Sequence, residues 1–332
     1  MPRADPGDAV QTPVLEIDRL SIEFRSRRGS VSVVDHVDLT IGRGEIVGLI
    51  GESGSGKTLT AMSVLGLLPK GAHVTTGSIR LGGRSILDMS ETEKRSIRGD
   101  RIALIPQDAL GALNPLMMVG DQVGEPLSLH RGLAWDVVRD HARKLLSSVH
   151  LRDADRNARE FPHQFSGGMR QRAMVAMGLA LEPELLIADE PTTALDVTIQ
   201  AQVLKLLREI RSTRGTSILF ISHDLAVIAG LCDRLYVMYA GAVVEQGTVA
   251  DVFSRPSHPY TQALLRATPS LGPAAGELFS IRGQIPLPGQ LPVGCRFADR
   301  CDFAFERCNQ EPPPITVAPG HVAACWRCEA PQ

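Results

Sequence analysis

Residues 45–58 read Glu45-Ile46-Val47-Gly48-Leu49-Ile50-Gly51-Glu52-Ser53-Gly54-Ser55-Gly56-Lys57-Thr58, and this stretch decides the fold. Its first part, 45–50, is nearly all apolar, as expected for a strand buried on both faces of a parallel sheet. Its second part, 51–58, fits G-x-x-x-x-G-K-[ST], and the pattern over 59–68 reads as a helix. Glycines let backbone N–H groups close around phosphate oxygens, and the helix N-terminus adds partial positive charge. In that reading Lys57 reaches the β- and γ-phosphates, and the Thr58 hydroxyl ligates Mg²⁺. Gly51, Glu52, Ser53, Gly54, Ser55 and Gly56 form the cradle, with Thr60 in the helical turn behind it. The plainer alternative, a glycine-rich turn without a ligand, does not explain why the loop sits between a buried strand and a helix.

Working outward, residues 14–24 alternate as a strand through Leu15, Ile17, Leu20, Ile22 and Phe24. The tract RSRRGS at 25–30 turns the chain into a second strand at 31–41. Buried strands are expected at 101–105, 185–188, 217–221 and 234–239, alternating with helical patterns, so the core is a mostly parallel α/β sheet. Residues 120–178 lack such strands and show helical spacing through Val137, Leu145, Leu146, Val149 and Leu151, which predicts a helical insertion beginning near residue 108. From Ser254 onward Pro and Gly recur, and helical patterning is confined to about 260–267. Residues 1–13 read as a loose N-terminus, 14–253 as one nucleotide-binding domain and 254–332 as a small appendage too poor in apolar residues for its own core.

Composition narrows the function classes. The 332 residues suggest about two domains, at roughly 150 residues each. Hydrophobic residues are 43% and charged residues 22%, an ordinary globular balance. With 35 Lys+Arg against 37 Asp+Glu, the formal charge is −2, so no global basic field draws nucleic acid. Aromatics at 4% are too few for a base-stacking surface. No apolar run reaches the ~18 residues a membrane helix needs, and the polar start MPRADPGDAVQTP has no signal-like apolar region. The chain is therefore expected in the cytosol, reaching a membrane only through a partner.

The segment Leu185-Leu186-Ile187-Ala188-Asp189-Glu190 is an apolar strand ending in two carboxylates. In a parallel sheet that end faces the ligand crevice. Asp189 is placed to hold Mg²⁺ and Glu190 to accept a proton from attacking water. Taken alone, an acidic strand end solvated at the surface is commoner. His223 follows the strand at 217–221, where it can reach a γ-phosphate and orient the base; the alternative is an N-terminal helix residue near Asp224. Gln107 follows the strand at 101–105 and can contact Mg²⁺, although a lone Gln is more often a surface loop residue. In Phe165-Ser166-Gly167-Gly168-Met169-Arg170-Gln171, Ser166 suits an N-cap, and the glycines leave N–H groups open to an anion.

Together, in this order and spacing, these segments resemble the ATP-binding subunits of ABC transporters over about residues 14–253. The resemblance implies an α/β, RecA-like P-loop NTPase core with an antiparallel β subdomain and an inserted α-helical subdomain. It makes Gln107 the Q-loop, FSGGMRQR the signature, Ala194-Leu195-Asp196 the D-loop and His223 the switch. It also implies a head-to-tail dimer in which Ser166, Gly167 and Gly168 face the partner's ATP. Phe24 is the candidate for stacking on adenine. Beyond the cassette, Arg255-Pro256-Ser257-His258-Pro259-Tyr260-Thr261, the later PLPG and the tail GCRFADRC resemble the oligopeptide/dipeptide/nickel importers, and Met169 resembles their D-type subunit. That narrower resemblance implies a heterodimer with an F-type ATPase subunit, two membrane permeases and an extracytoplasmic solute-binding protein. Its place would be the cytoplasmic side of the cell membrane, attached through the permeases. Peptides lead as cargo; nickel chelates, glutathione and glycosides stay open.

Cys295, Cys301, Cys308, Cys325 and Cys328 crowd the tail, which in a reducing compartment reads as metal ligation before disulfides. Four thiolates suit Zn²⁺ or an iron–sulfur cluster. The resemblance implies a [4Fe–4S] cluster on Cys295, Cys301, Cys308 and Cys325, with zinc as the alternative and Cys328 as a competitor for the fourth place. Such a group would staple the appendage, or sense redox state. Cys232 reads as a small apolar helix residue, and His258 and His321 as structural or surface groups. Two other roles fit the motifs less well. A soluble ABC ATPase acting on DNA or ribosomes would need a long coiled coil or two cassettes. A non-hydrolysing redox adaptor fits poorly with the intact Asp189–Glu190 pair.

Overall fold

The computed structural model describes residues 12–26, 29–193, 195–268 and 280–329. Of the expectations above, most of the loose N-terminus, Arg27 and Arg28 of the turn, and Ala194 of the D-loop fall outside them. In chain order, Leu15–Ser26 (β1) pairs with Gly29–Ile41 (β2), and Ile46–Ile50 (β3) leads into Lys57–Val64 (α1). Ala72–Leu81 (β4) returns beside β1 and pairs with Arg84–Ser85 (β5); Glu91–Ile97 (α2) leads to Ile102–Ile105 (β6). A helical stretch follows: Ala109–Ala112 (α3), Val119–Arg131 (α4), Trp135–Ser148 (α5), Ala154–Asn157 (α6) and Gly167–Gly178 (α7). Alternation resumes with Leu185–Asp189 (β7), Val197–Arg214 (α8), Ser217–Ser222 (β8), Leu225–Leu231 (α9), Arg234–Tyr239 (β9) and Ala242–Thr248 (β10). Val249–Ser254 (α10) and Pro259–Arg266 (α11) lead to Ile315–Ala318 (β11) and His321–Ala323 (β12).

The strands form a four-stranded antiparallel sheet, β2-β1-β4-β5, and an eight-stranded sheet, β11-β12-β10-β9-β3-β8-β7-β6. The stretch from β9 to β6 is parallel, with β3 between β9 and β8. Side-chain alternation along its buried strands builds two cores. Val47, Leu49, Ile187 and Leu219 face the smaller sheet and α1, packing with Ile17, Leu39, Ile79 and Ala61. Ile46, Ile50, Leu186 and Phe220 face the opposite side and pack with Met174, Leu207 and Ile228 from α7, α8 and α9. This layering places the C-terminal ends of β3, β7 and β8 together at one edge, where a ligand crevice belongs.

Three local features differ from a plain reading of the pattern. The three-residue step from Ile17 to Leu20 is a β-bulge, with Arg19 at φ 46° and its N–H donating to Asp38 Oδ1 at 2.7 Å. The bulge restores Leu20 and Ile22 to the core side. Opposite it, Gly77 has φ 92°, and a Cβ there would lie 2.5 Å from the Arg19 carbonyl oxygen. In α5 the expected inward Val137 is exposed and Val138 is buried, because the helix turns Val138, Ala142 and Leu146 toward its neighbours. α4 comes so close that a Cβ on Gly124 would meet Val138 Cγ1 at 2.4 Å. The tail, expected to be too poor in apolar residues for its own core, adds β12 to the edge of β10. Among the described residues, no helix is long and apolar enough to cross a membrane.

Candidate functional site

A cleft of about 920 Å³ opens where α1 starts, lined among others by Phe24, Ser53, Gly54, Gly56, Lys57, Thr58, Gln107, Glu190 and His223. The loop between β3 and α1 keeps its path through positive φ at Gly51, Gly54 and Gly56. Gly51 is forced: a Cβ there would sit 2.2 Å from the Met238 carbonyl oxygen on β9. Lys57 is buried and donates through Nζ to the Gly51 and Glu52 carbonyls at 2.7 and 3.0 Å. Burial pulls its ammonium pKa down, while Glu190, Asp189 and Glu52 push it back up.

Glu190 is the centre of the cleft's polar wall. Gln107 Nε2 and Thr193 Oγ1 donate to its Oε2 at 2.9 and 3.0 Å, and His223 Nδ1 lies 3.2 Å from its Oε1. Its backbone has φ 47°, unusual for a side chain that is not glycine, and its N–H is held by the Ile221 carbonyl at 2.9 Å. That conformation costs about 1–3 kcal/mol, and β8 holds it in place. Asp189, one residue earlier, is 4% exposed; burial raises its carboxyl pKa, opposed first by a hydrogen bond from the Thr58 hydroxyl. Its Oδ1 has no hydrogen-bond partner among the described residues. A buried carboxylate oxygen left open beside a hydroxyl is the donor set a hard divalent cation takes, so Asp189 and Thr58 fit Mg²⁺. Thr193 was not anticipated; its place three residues after Glu190, in the turn leaving β7, was the available signal.

Other expected residues are elsewhere. The Thr60 hydroxyl turns back to the Gly56 carbonyl at 3.0 Å, and Ser55 is fully buried behind the loop. Asp196 caps α8, its Oδ1 accepting from the Ile199 N–H at 2.9 Å. Ser166 caps α7 through the Met169 N–H at 3.3 Å, and with Gly168 it lines a different cleft of about 810 Å³. The two signature glycines differ. A Cβ on Gly168 would meet Ile199 Cγ2 at 2.4 Å, so α8 dictates it. A Cβ on Gly167 would find only Leu195 Cδ2, at an ordinary 3.7 Å, so packing within the chain does not require glycine there.

The cysteine expectation is corrected. Cys295, Cys301, Cys308 and Cys325 lie near one another; burial, with smaller help from the other three, pushes the Cys295 thiol up to about 11. Cys325 shares a hydrogen bond with Cys328. Yet no group of three or more His, Cys, Asp or Glu side chains among the described residues is set to hold a metal ion, and the cysteines are free thiols. The [4Fe–4S] cluster and its zinc alternative are therefore not retained. What fastens the extension is the cassette itself. Glu245 of β10 is 1% exposed and accepts from the Ser257 and His258 N–H groups at 2.7 and 3.0 Å, with His321 Nε2 2.7 Å away. Phe297 packs among Tyr239, Tyr260 and His258. Arg296 bonds the Ala240 carbonyl at 2.8 Å and pairs with Asp35. Both histidines are buried structural groups, and Cys232 is a buried residue ending α9, its thiol pushed up by burial.

A glycine-rich loop, a buried lysine, a paired Asp–Glu strand end and a histidine beside it on one sheet edge are the parts of a P-loop ATPase of the cassette class. Comparison with known proteins agrees. Residues 34–193 match the ABC transporter family model, and residues 244–308 match that for the oligopeptide/dipeptide transporter C-terminal region. The oligopeptide transport ATP-binding protein OppD of Salmonella typhimurium is 44% identical over 95% of this chain and 93% of its own. A protein of Sinorhizobium fredii named probable peptide ABC transporter ATP-binding protein y4tR is 44% identical, over 95% of each. The ATP-binding cassette MJ0796, solved as a dimer in a post-hydrolysis state with ADP and Pi, superposes with TM-score 0.64 at 26% identity, over 71% of this chain and 98% of that one. The chain belongs to the ATP-binding subunits of ABC transporters, in the branch that carries the oligopeptide/dipeptide C-terminal region. As such it is an ATPase whose hydrolysis is coupled to transport.

One expectation about assembly is corrected by the same findings. A heterodimer with an F-type subunit was expected, but the solved dimeric cassettes that match are dimers of one cassette, MJ0796. This chain carries both the cleft at the start of α1 and, lining a separate cleft, the segment at 166–168, so the parts present do not call for a partner of a second kind.

Proposed function

We propose that this chain hydrolyses ATP in the cleft between the phosphate loop and Glu190, and that the hydrolysis drives uptake of peptides across the cell membrane. The observation that carries the reading is the convergence of Gln107, Thr193 and His223 on the Glu190 carboxylate, across from Lys57. In the reaction, Glu190 takes a proton from a water molecule as its oxygen attacks the γ-phosphorus. The bond to the bridging oxygen breaks, and ADP keeps its electron pair. Gln107 and Thr193 hold Oε2 of that carboxylate, and His223 holds Oε1, so the base is fixed before the water arrives. Lys57 follows the charge shifting toward the bridging oxygen. Asp189 and Thr58 would hold Mg²⁺, which when bound would neutralise charge on the phosphoryl oxygens. Phe24 gives adenine a stacking face.

The second half of each site comes from another copy, whose Ser166 and Gly167 N–H groups face the γ-phosphate; the freedom of Gly167 from packing supports this. Residues 14–253 act as the nucleotide-binding domain, 108–178 as its helical subdomain and 254–332 as the extension. Two permeases form the path, an extracytoplasmic binding protein delivers peptide, and the chain sits peripherally on the cytoplasmic side. Peptide transport in the names of the relatives supports the cargo. The test is uptake of labelled di- and oligopeptides by cells lacking this chain, complemented with the wild-type or the Glu190→Gln form. Uptake should vanish and return only with the wild type; undiminished uptake in the deletion strain refutes the cargo.

A further inference from the structure

The C-terminal extension reaches the phosphate loop directly. Arg300 is 6% exposed in its side chain and forks onto Glu52, Nη1 to Oε2 at 2.6 Å and Nη2 to Oε1 at 2.9 Å. Its Nε donates to the Arg282 carbonyl at 2.7 Å, and Nη1 also reaches the Tyr239 hydroxyl at 3.3 Å. Tyr260, fully buried against Tyr239 and Phe297, accepts at its hydroxyl the Glu52 backbone N–H at 2.9 Å. Tyr260 is held from behind: Pro259 opens α11, and buried His258 accepts the Tyr260 N–H at 3.0 Å. Glu52 is thus bound at both its main chain and its side chain by residues more than two hundred positions away.

A carboxylate inside a loop that cradles a triphosphate is an electrostatic liability. Glu52 is near enough to act on the Lys57 ammonium. Left alone, its negative charge would oppose the phosphates; paired in a fork with Arg300 it is neutralised and pinned away from them. We infer that Arg300, with Tyr260, is a positioning residue for ATP binding: it holds and neutralises Glu52, so that nucleotide affinity depends on docking of the extension. This rests on residues 51–58 being the phosphate cradle.

The test uses the purified full-length chain, with MgATP binding and steady-state hydrolysis measured side by side. Arg300→Gln should raise KM and Kd for MgATP about tenfold, the size of a close charge-pair coupling, with kcat within about twofold. Glu52→Gln added to Arg300→Gln should bring both back to within about threefold of wild type, because the unpaired carboxylate is gone. Arg300→Lys should lie between, since it keeps the charge and loses the fork. Tyr260→Phe should raise KM by about two- to tenfold through the freed Glu52 N–H. A merely structural Arg300 would lower the melting temperature and kcat, with no recovery on removing Glu52. Unchanged KM in Arg300→Gln, or a double variant no better than the single, overturns the inference. Should Arg300→Gln fail to fold, Arg300→Lys and its recovery by Glu52→Gln decide in the same way. Lys57→Ala separates the levels: if it binds MgATP as well as wild type, the cradle reading fails; if it loses binding while Arg300→Gln is silent, only the positioning role fails.

Discussion

Around Glu190, the side chains that meet come from the ends of parallel strands: Lys57 after β3, Gln107 after β6, Glu190 after β7 and His223 after β8. In the extension, the residues that meet the cassette come from a short edge strand, a loop and a single turn rather than from aligned strand ends. Glu245, Asp35 and Glu52 belong to the cassette; His321, Arg296 and Arg300 belong to the extension. A sheet edge fixes positions by backbone geometry, so a motif in the right strand lands in the right place. A segment with no core of its own can be ordered by metal or by docking, and cysteine spacing does not distinguish the two.

The largest effect should come from the cleft. Glu190→Gln is expected to lower kcat about 100-fold or more while MgATP binding is kept, read by steady-state hydrolysis and equilibrium binding. Near-normal turnover would remove Glu190 from the base role. Next comes the grip on the extension. Glu245→Ala leaves buried His321 and two backbone donors unpaired and should cost about 3–5 kcal/mol, measured by urea unfolding. A loss below about 1 kcal/mol would mean that the docking relies on Phe297 and the arginines instead.

A third comparison splits the signature. Gly168→Ala should cost about 1–3 kcal/mol through the clash with Ile199. Gly167→Ala should leave the melting temperature unchanged yet reduce hydrolysis about tenfold or more, if it faces the partner's nucleotide. Equal stability losses in both variants would contradict the two-face description. The smallest effect is acid sensitivity. Burial pushes the His258 imidazole down to about 3 from 6.5. The unfolded chain therefore binds a proton that the folded chain refuses, so stability from this group is full above pH 6.5 and falls as pH drops toward 3. The slope reaches about 1.4 kcal/mol per pH unit, and His258→Gln should flatten it between pH 6.5 and 5 in unfolding titrations.

Much of this was legible in the sequence because it is local or follows strand order. The buried strand at 45–50, the loop at 51–58, the carboxylate pair at 189–190 and the helical insertion all follow from short patterns and α/β alternation. The roles of Thr193, Glu245, Tyr260 and Arg300 were not. Glu245 sits in a strand where a carboxylate reads as solvent-facing, and nothing nearby announces that residues 257, 258 and 321 fold over it. Tyr260 stands in a segment legible as a short helix and by its resemblance, and neither says that its hydroxyl reaches Glu52. Val137 reads as inward in place of Val138 because adjacent valines fit a helical stripe equally until α4 packs against one of them. The cysteines pointed to a metal because residue type suggests ligands, whereas ligation needs converging geometry.

The amino-acid sequence alone determined that this chain sets a glycine loop between a buried strand and a helix, since that motif is contiguous and its backbone chemistry is self-contained. Tertiary structure decided which carboxylates are paired, which glycines are required and what orders the tail. Those outcomes depend on distances between residues far apart in the chain, and only packing sets such distances.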